Sequence, residues 1–174
     1  MSRIRLLPAI SGLILTFLLL FGGYQMYRSI EIVQPLQSQL KQIHAVNSAQ
    51  VVTIAQSPAV VVTLGKVTDL QTTYTQIQAV VLSDLGNSVP ITINDRRDAA
   101  LTATYEAVKP IIYQGIAHGN YVSMINSFES ACRSRGVDCK ISMNSQDIFV
   151  QMMQKNAYLY AIVPYSIKSS GVNS

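Results

Sequence analysis

A dense group of charged residues, Asp95-Arg96-Arg97-Asp98, is the strongest candidate for chemistry in this sequence of 174 residues. It follows a stretch predicted to be a strand and precedes a predicted helix. Two guanidinium groups beside two carboxylates are able to bind an anion or orient a substrate, so Arg96 and Arg97 are candidate anion or partner contacts. The alternative interpretation is structural and is favoured here, because acids near a helix N-terminus match its dipole and exposed arginines pair locally or are solvated.

The two cysteines are a candidate disulfide. Cys132 ends a predicted helix, and Cys139 begins the strand that follows a turn at Gly136. Their Cα atoms are therefore able to approach the ~4.4–6.8 Å that a disulfide requires. Outside the cytoplasm such a bond would form and would contribute roughly 2–3 kcal/mol for so short a loop. The equal alternative is two free thiols, with Cys132 a small core residue; the spacing is not that of a dithiol active site.

Other catalytic and cofactor patterns are missing from the sequence. His44 and His118 are far apart, and neither C-x-x-C nor H-x-x-x-H occurs, which argues against a metal site. A phosphate-binding glycine loop and the G-x-S-x-G nucleophile motif are also absent. We therefore expect no metal, no cofactor and no enzymatic activity.

Residues 6–24 are predicted to form a transmembrane helix, preceded by a short N-terminus at residues 1–5. The segment carries no charged side chain, and nineteen helical residues span about 28 Å, close to the ~30 Å hydrocarbon core. The alternative is a cleaved signal peptide, which has a shorter apolar region and a small-residue cleavage site. The run here ends in Phe21-Gly22-Gly23-Tyr24 and offers no such site, so a retained anchor is favoured.

Flanking charge predicts the orientation. Arg3, Arg5 and the free amine precede the span, whereas Arg28 and Glu31 follow it, and cytoplasmic flanks hold the excess of Lys and Arg. We expect a single-pass protein of the cell membrane with a cytoplasmic N-terminus and an extracytoplasmic C-terminal domain. Residues 51–174 hold nine basic and eight acidic side chains. Such a nearly neutral domain argues against nucleic acid as a partner.

Residues 25–50 are predicted to form an amphipathic stalk helix. Its apolar residues recur at helical spacing, and Pro35 predicts a kink or break. The far face is rich in glutamine. Two interpretations stay open for the stalk: self-association as a short coiled coil, or packing of a spacer helix on its own domain. The apolar positions are Met26, Ile30, Val33, Leu36, Leu40 and Ile43.

Residues 51–165 are predicted to form an α+β domain, and residues 166–174 a flexible tail. Short strands and capped helices alternate, and the C-terminal part reads as a three-stranded antiparallel meander. This order predicts a two-layer α/β sandwich with helices on one side of the sheet. Tyr158, Tyr160 and Ile162 form an aromatic stripe, either part of the core or an exposed docking surface, and the core is favoured. The predicted elements are strands at 59–64, 89–93, 137–143, 148–153 and 158–163 and three helices. The first helix begins near 68, the second is capped by Asp95 or Asp98 and ends near Gly115, and the third begins near 120.

The layout resembles inner-membrane assembly proteins of type IV pilus and type II secretion systems, with Leu6-Leu7-Pro8 before one span, a short stalk and a small α+β domain. The layout is also similar to that of proteins carrying small ring-building domains at membranes. The resemblance covers layout and one tripeptide, and it transfers no functional residue. It implies an interaction or assembly protein, whose partners would be the bilayer and either itself or another membrane or extracytoplasmic protein. The alternative function is an extracytoplasmic ligand-binding or sensing domain.

Overall fold

The computed structural model describes residues 16–17, 19–21, 34–54, 57–86 and 89–165. The predicted membrane span at 6–24 therefore lies mostly outside the described residues, and its five described positions are helical. Among the described residues, no helix combines the length and the apolar character needed to cross a bilayer. The predicted tail at 166–174 lies outside the described residues altogether.

The N-terminal half consists of a mixed three-stranded sheet with helices on one face. The order along the chain is α1 (Gln34–Gln42), β1 (Val46–Ile54), β2 (Ser57–Leu64), α2 (Leu70–Leu85) and β3 (Ile91–Asn94). β2 is central, antiparallel to β1 and parallel to β3. Alternate strand residues such as Val60 and Val62 pack with Ile77 of α2 and Leu36 of α1 in one apolar cluster.

The C-terminal half consists of two helices and an antiparallel meander. Its elements are α3 (Ala99–His118), α4 (Tyr121–Arg133), β4 (Asp138–Met143), β5 (Asp147–Gln154) and β6 (Ala157–Pro164). β5 is the middle strand. The described residues thus form two three-stranded sheets with helices, and the predicted α+β class is confirmed.

The meander is buried on both faces, which differs from the predicted arrangement with helices on one side. Ile148, Val150 and Met152 pair across the ladder with Val163, Ala161 and Leu159 and pack on α3 and α4. The opposite face carries Phe149, Tyr158 and Tyr160, which join the apolar cluster of the N-terminal half. The tyrosine stripe is therefore buried, and Leu159 and Val163 on the opposite face of β6 belong to a second core.

Side-chain caps fix where the long helices begin. Asp69, Asp98 and Asn120 each accept a hydrogen bond from the backbone N–H of the residue three positions later, which satisfies an otherwise unpaired N–H group. α3 continues past Pro110 to His118 and ends at Gly119 in the left-handed conformation. The helix was expected to end near Gly115.

Gly115 allows α3 and α4 to cross closely. A Cβ atom at this position would lie 2.5 Å from Cβ of Met124 on α4, a separation at which backbone or side chain has to move. Glycine is thus required here for packing, because the buried Met124 sits against the bare α-carbon.

The segment predicted as a stalk, residues 25–50, belongs partly to the folded domain. Leu36 and Leu40 of α1 are fully buried in the N-terminal cluster, which supports packing on its own domain for this part of the stalk. β1 begins at Val46, within the residues predicted to form the stalk helix. Polar residues such as Asn47, Ser48 and Gln50 hid this strand in the sequence, although Val51-Val52-Thr53 is a β-branched run.

Candidate functional site at the junction of the two sheets

The charged segment Asp95-Arg96-Arg97-Asp98 lies between β3 and α3 and runs along the outer edge of β6. Asp98 is the N-cap of α3 and accepts a hydrogen bond of 2.8 Å from the Leu101 N–H. The Asp95 side chain is only 2% exposed. The two carboxylates therefore have different roles, and only Asp98 acts as the expected helix cap.

Asp95 and Arg97 complete the backbone pairing of β6. The Tyr158 N–H donates to the Arg96 carbonyl at 3.0 Å, an isolated antiparallel bridge between the two halves. Two residues further on, the Tyr160 N–H donates to Asp95 Oδ2 at 2.7 Å, and Arg97 Nη2 donates to the Tyr160 carbonyl at 3.3 Å. The side chains of Asp95 and Arg97 thus take the place of a neighbouring strand.

The guanidinium of Arg97 is engaged within the molecule. Arg97 Nε and Nη2 donate to the two oxygens of Asp95, each at 2.7 Å, in a bidentate pair. This hydrogen bonding holds the pKa of Arg97 above its usual range. The Arg96 side chain is exposed, and within the described part of the chain no carboxylate pairs with it. Of the two predicted anion contacts, only Arg96 presents an uncommitted cation.

A buried polar cluster fastens the meander to the segment between β2 and α2. The Tyr160 hydroxyl accepts from the Val67 N–H and donates to the Gly65 carbonyl, both at 2.9 Å. The Gln151 amide accepts from the Leu70 N–H at 3.2 Å and donates to the Val67 carbonyl at 2.9 Å. Burial raises the pKa of Tyr160 to about 12. The available sequence signal for this cluster was a glutamine inside the apolar strand β5.

The structure brings the two cysteines together. Cys132, at the end of α4, and Cys139, in β4, form a disulfide with Cα atoms 6.1 Å apart. The bond closes the turn at Gly136, whose φ of 69° suits glycine. The disulfide holds the end of α4 against the outer strand of the meander.

The two histidines lie near the ends of two different helices. His44 is exposed after α1, and His118 ends α3 with its Nδ1 2.8 Å from the Gln114 carbonyl oxygen. Over the described ranges, no group of three or more His, Cys, Asp and Glu side chains is arranged to hold a metal ion.

A groove of about 360 Å³ lies between α3 and α4. Its lining combines the buried Gly115 and Met124 with exposed amide, hydroxyl and imidazole side chains. Such a mixed lining suits a small polar molecule better than a large apolar one. The lining residues include Gln114, Gly115, His118, Asn120, Ser123 and Met124.

No family model, curated protein or solved structure matches this chain. Its function has to be inferred from its own residues.

Proposed function

We propose that this chain is a membrane-anchored interaction or assembly protein, without catalytic activity, whose folded domain docks other subunits outside the cytoplasm. One observation carries the proposal. Asp95 and Arg97, which belong to the charged group best suited to chemistry, pair with each other and with the Tyr160 backbone. Groups engaged in this way hold the two halves of the domain together, and their hydrogen bonds leave little capacity for a substrate.

The proposed anchor is supported by the described residues of the N-terminal segment. Phe17, Leu19, Leu20 and Phe21 are helical and between 58% and 69% exposed. A hydrocarbon environment stabilises such side chains, since the transfer of each large apolar side chain out of water lowers the free energy by about 1.5–3 kcal/mol. Arg3 and Arg5 support the orientation with the N-terminus in the cytoplasm.

Co-purification tests the assembly function. The full chain, extracted from membranes in mild detergent, should elute in sizing experiments as an oligomer or with a bound protein partner. A monomer free of partners at several protein concentrations would refute the proposal.

Membrane fractionation and a topology reporter test the address. The protein should stay in the membrane pellet through a high-pH carbonate wash with Arg3 still present, and a reporter active only outside the cytoplasm should work when fused after Ser174. Changing Arg3 and Arg5 to Glu should weaken the reporter signal, because the bias depends on few charges. A fragment that begins after Gly23 would indicate cleavage instead.

A second candidate function is an extracytoplasmic ligand-binding or sensing domain. The groove between α3 and α4 favours it, as does the exposed Arg96 beside the sheet junction. A thermal-shift screen of the full chain against anions and small polar metabolites tests this function. The expected signature is a melting temperature that rises with ligand concentration and that falls back when Ser123 is replaced by a bulky residue. No shift with any compound removes the candidate.

A further inference from the structure

The outer edge of β1 is an open strand edge. β1 is nine residues long and pairs with β2 on one side. Within the described residues, no other strand pairs with it. α1 does not replace such a strand, because its buried Leu36 and Leu40 pack over the face of the sheet with Val60 and Val62.

The direction of the free backbone groups follows from the neighbouring ladder. The Val60 N–H donates to the Pro90 carbonyl beside β3 at 2.9 Å, so the backbone groups of Val60 point away from β1. Val51 lies opposite Val60, and the pair is therefore not hydrogen-bonded. The N–H and C=O groups of Val51 point to the open edge, and by alternation those of Ala49 and Thr53 do the same.

This edge lacks the protection that the outer edges of β4 and β6 carry. β1 contains neither a charged residue nor a proline, the usual devices against pairing with other chains. On β4, Asp138 and Lys140 are charged and exposed, and Lys140 forms an ion pair with Asp69. At the outer edge of β6, the side chains of Asp95 and Arg97 bond to the backbone of Tyr160. The contrast within one molecule indicates that β1 is kept open for a partner strand.

The partner that suits this edge is a second copy of the same chain. The register of β1 is irregular between Val46 and Ser48 and regular from Ser48 to Ile54, and Val51 is the middle residue of the regular stretch. A twofold axis perpendicular to the sheet, midway between Val51 of the two copies, would pair two such stretches antiparallel, with Ala49 opposite Thr53 of the partner copy. Val51, half-buried at the rim of the N-terminal cluster, would then meet its own copy, and no charges would oppose each other.

We propose that β1 pairs antiparallel with β1 of a second copy through the backbone groups of Ala49, Val51 and Thr53, which joins the two N-terminal sheets into one sheet. The inference rests on the proposed assembly function and specifies its partner. Copies anchored side by side in one membrane would meet at high effective concentration, which favours such pairing.

Cysteine cross-linking of the full chain in membranes tests the register. Gln50 would lie opposite Val52 of the partner copy in a non-hydrogen-bonded pair, where Cβ atoms approach to about 4.5–5.5 Å. Co-expressed Gln50→Cys and Val52→Cys chains with different tags should form a mixed disulfide dimer under mild oxidation. Thr92→Cys is the matched control, because Thr92, Val61 and Gln50 form one row across the sheet, and it should not cross-link with either variant.

A proline substitution tests the hydrogen bonding. Thr53→Pro removes an outward N–H group and leaves the ladder to β2 intact, since that group does not face β2. It should lower the mixed cross-link at least about tenfold, whereas the control Thr53→Val should not. Thermal melting followed by circular dichroism verifies that both variants fold. If the proline variant does not fold, cross-linking between Gln50→Cys and Val52→Cys decides whether β1 pairs with β1.

The outcomes separate the two proposals. Absence of the mixed cross-link from a chain that still elutes as an oligomer would overturn pairing through β1 and leave the assembly function standing. A monomeric chain without cross-links would overturn both. Equal cross-linking of Thr92→Cys would also overturn the pairing, because it would indicate random collision.

Discussion

Replacing Tyr160 with phenylalanine removes one oxygen atom and two hydrogen bonds while leaving the ring in place. The Val67 N–H and the Gly65 carbonyl lose their partner, and both Tyr160 and Val67 are at most 3% exposed. Each hydrogen bond contributes about 1 kcal/mol net, and a buried donor left unpaired costs about 1–3 kcal/mol. We expect Tyr160→Phe to lower the free energy of unfolding by about 2–4 kcal/mol.

Tyr160→Ala removes the ring as well and should cost more, at least the about 3–5 kcal/mol typical of aromatic truncations in a core. Chemical denaturation of residues 30–174 measures both changes. This fragment keeps α1 and all of β1, which a fragment beginning at residue 51 would lose. Tyr158→Phe is the matched control, because Tyr158 lies on the same face of β6 and its hydroxyl makes no hydrogen bond to the described residues.

The pKa of Tyr160 predicts how the effect of Tyr160→Phe depends on pH. The pKa of Tyr160 is raised to about 12, so the neutral hydroxyl stabilises the folded state below pH 10 and this stability is lost as the pH rises toward 12. The difference from the ordinary value corresponds to about 3 kcal/mol. The gap between the wild type and Tyr160→Phe should therefore narrow above pH 10. An unchanged midpoint for Tyr160→Phe at neutral pH, or a gap that widens with pH, would refute the account of this cluster.

Three further perturbations have defined outcomes in the same denaturation assay. Gly115→Ala should lower stability by about 1–3 kcal/mol through overpacking against Met124, although alanine favours helices; a higher midpoint would contradict the close crossing. Asp69→Asn keeps the helix cap but loses the bond to Lys140 that lowers the pKa of Asp69, so it should cost less than about 1 kcal/mol at neutral pH. Because the wild-type contribution is lost as the pH falls below 3.8, the two proteins should converge there. Cys139→Ser should cost about 2–3 kcal/mol, and a reductant should then no longer affect the variant.

Local signals predicted much of this fold. Capping residues and glycines mark the ends of α2, α3 and α4 in the sequence, and the turns of the meander contain polar residues between apolar strands. These features depend on neighbours within four residues, which a sequence displays directly. β1 was missed because its polar residues mask the strand periodicity.

The site could not be predicted from local patterns because its partners are distant along the chain. Asp95 looked like a helix cap, yet its decisive contact is with Tyr160, 65 positions later. The Tyr160 hydroxyl likewise reaches Gly65 across 95 positions. The double burial of β5 was hidden for a different reason: a run that is apolar on both faces fits one covered face as well as two.

The shared meander has a consequence for how the chain folds. Both apolar clusters include residues of β5 and β6, so neither cluster is complete until β6 has been synthesised. We expect the two halves to form in one cooperative step once β6 is available, and to open together. Amide hydrogens of β2 and β5 should then exchange through the same global opening, and removal of the last residues of β6 should unfold the distant N-terminal sheet along with its own.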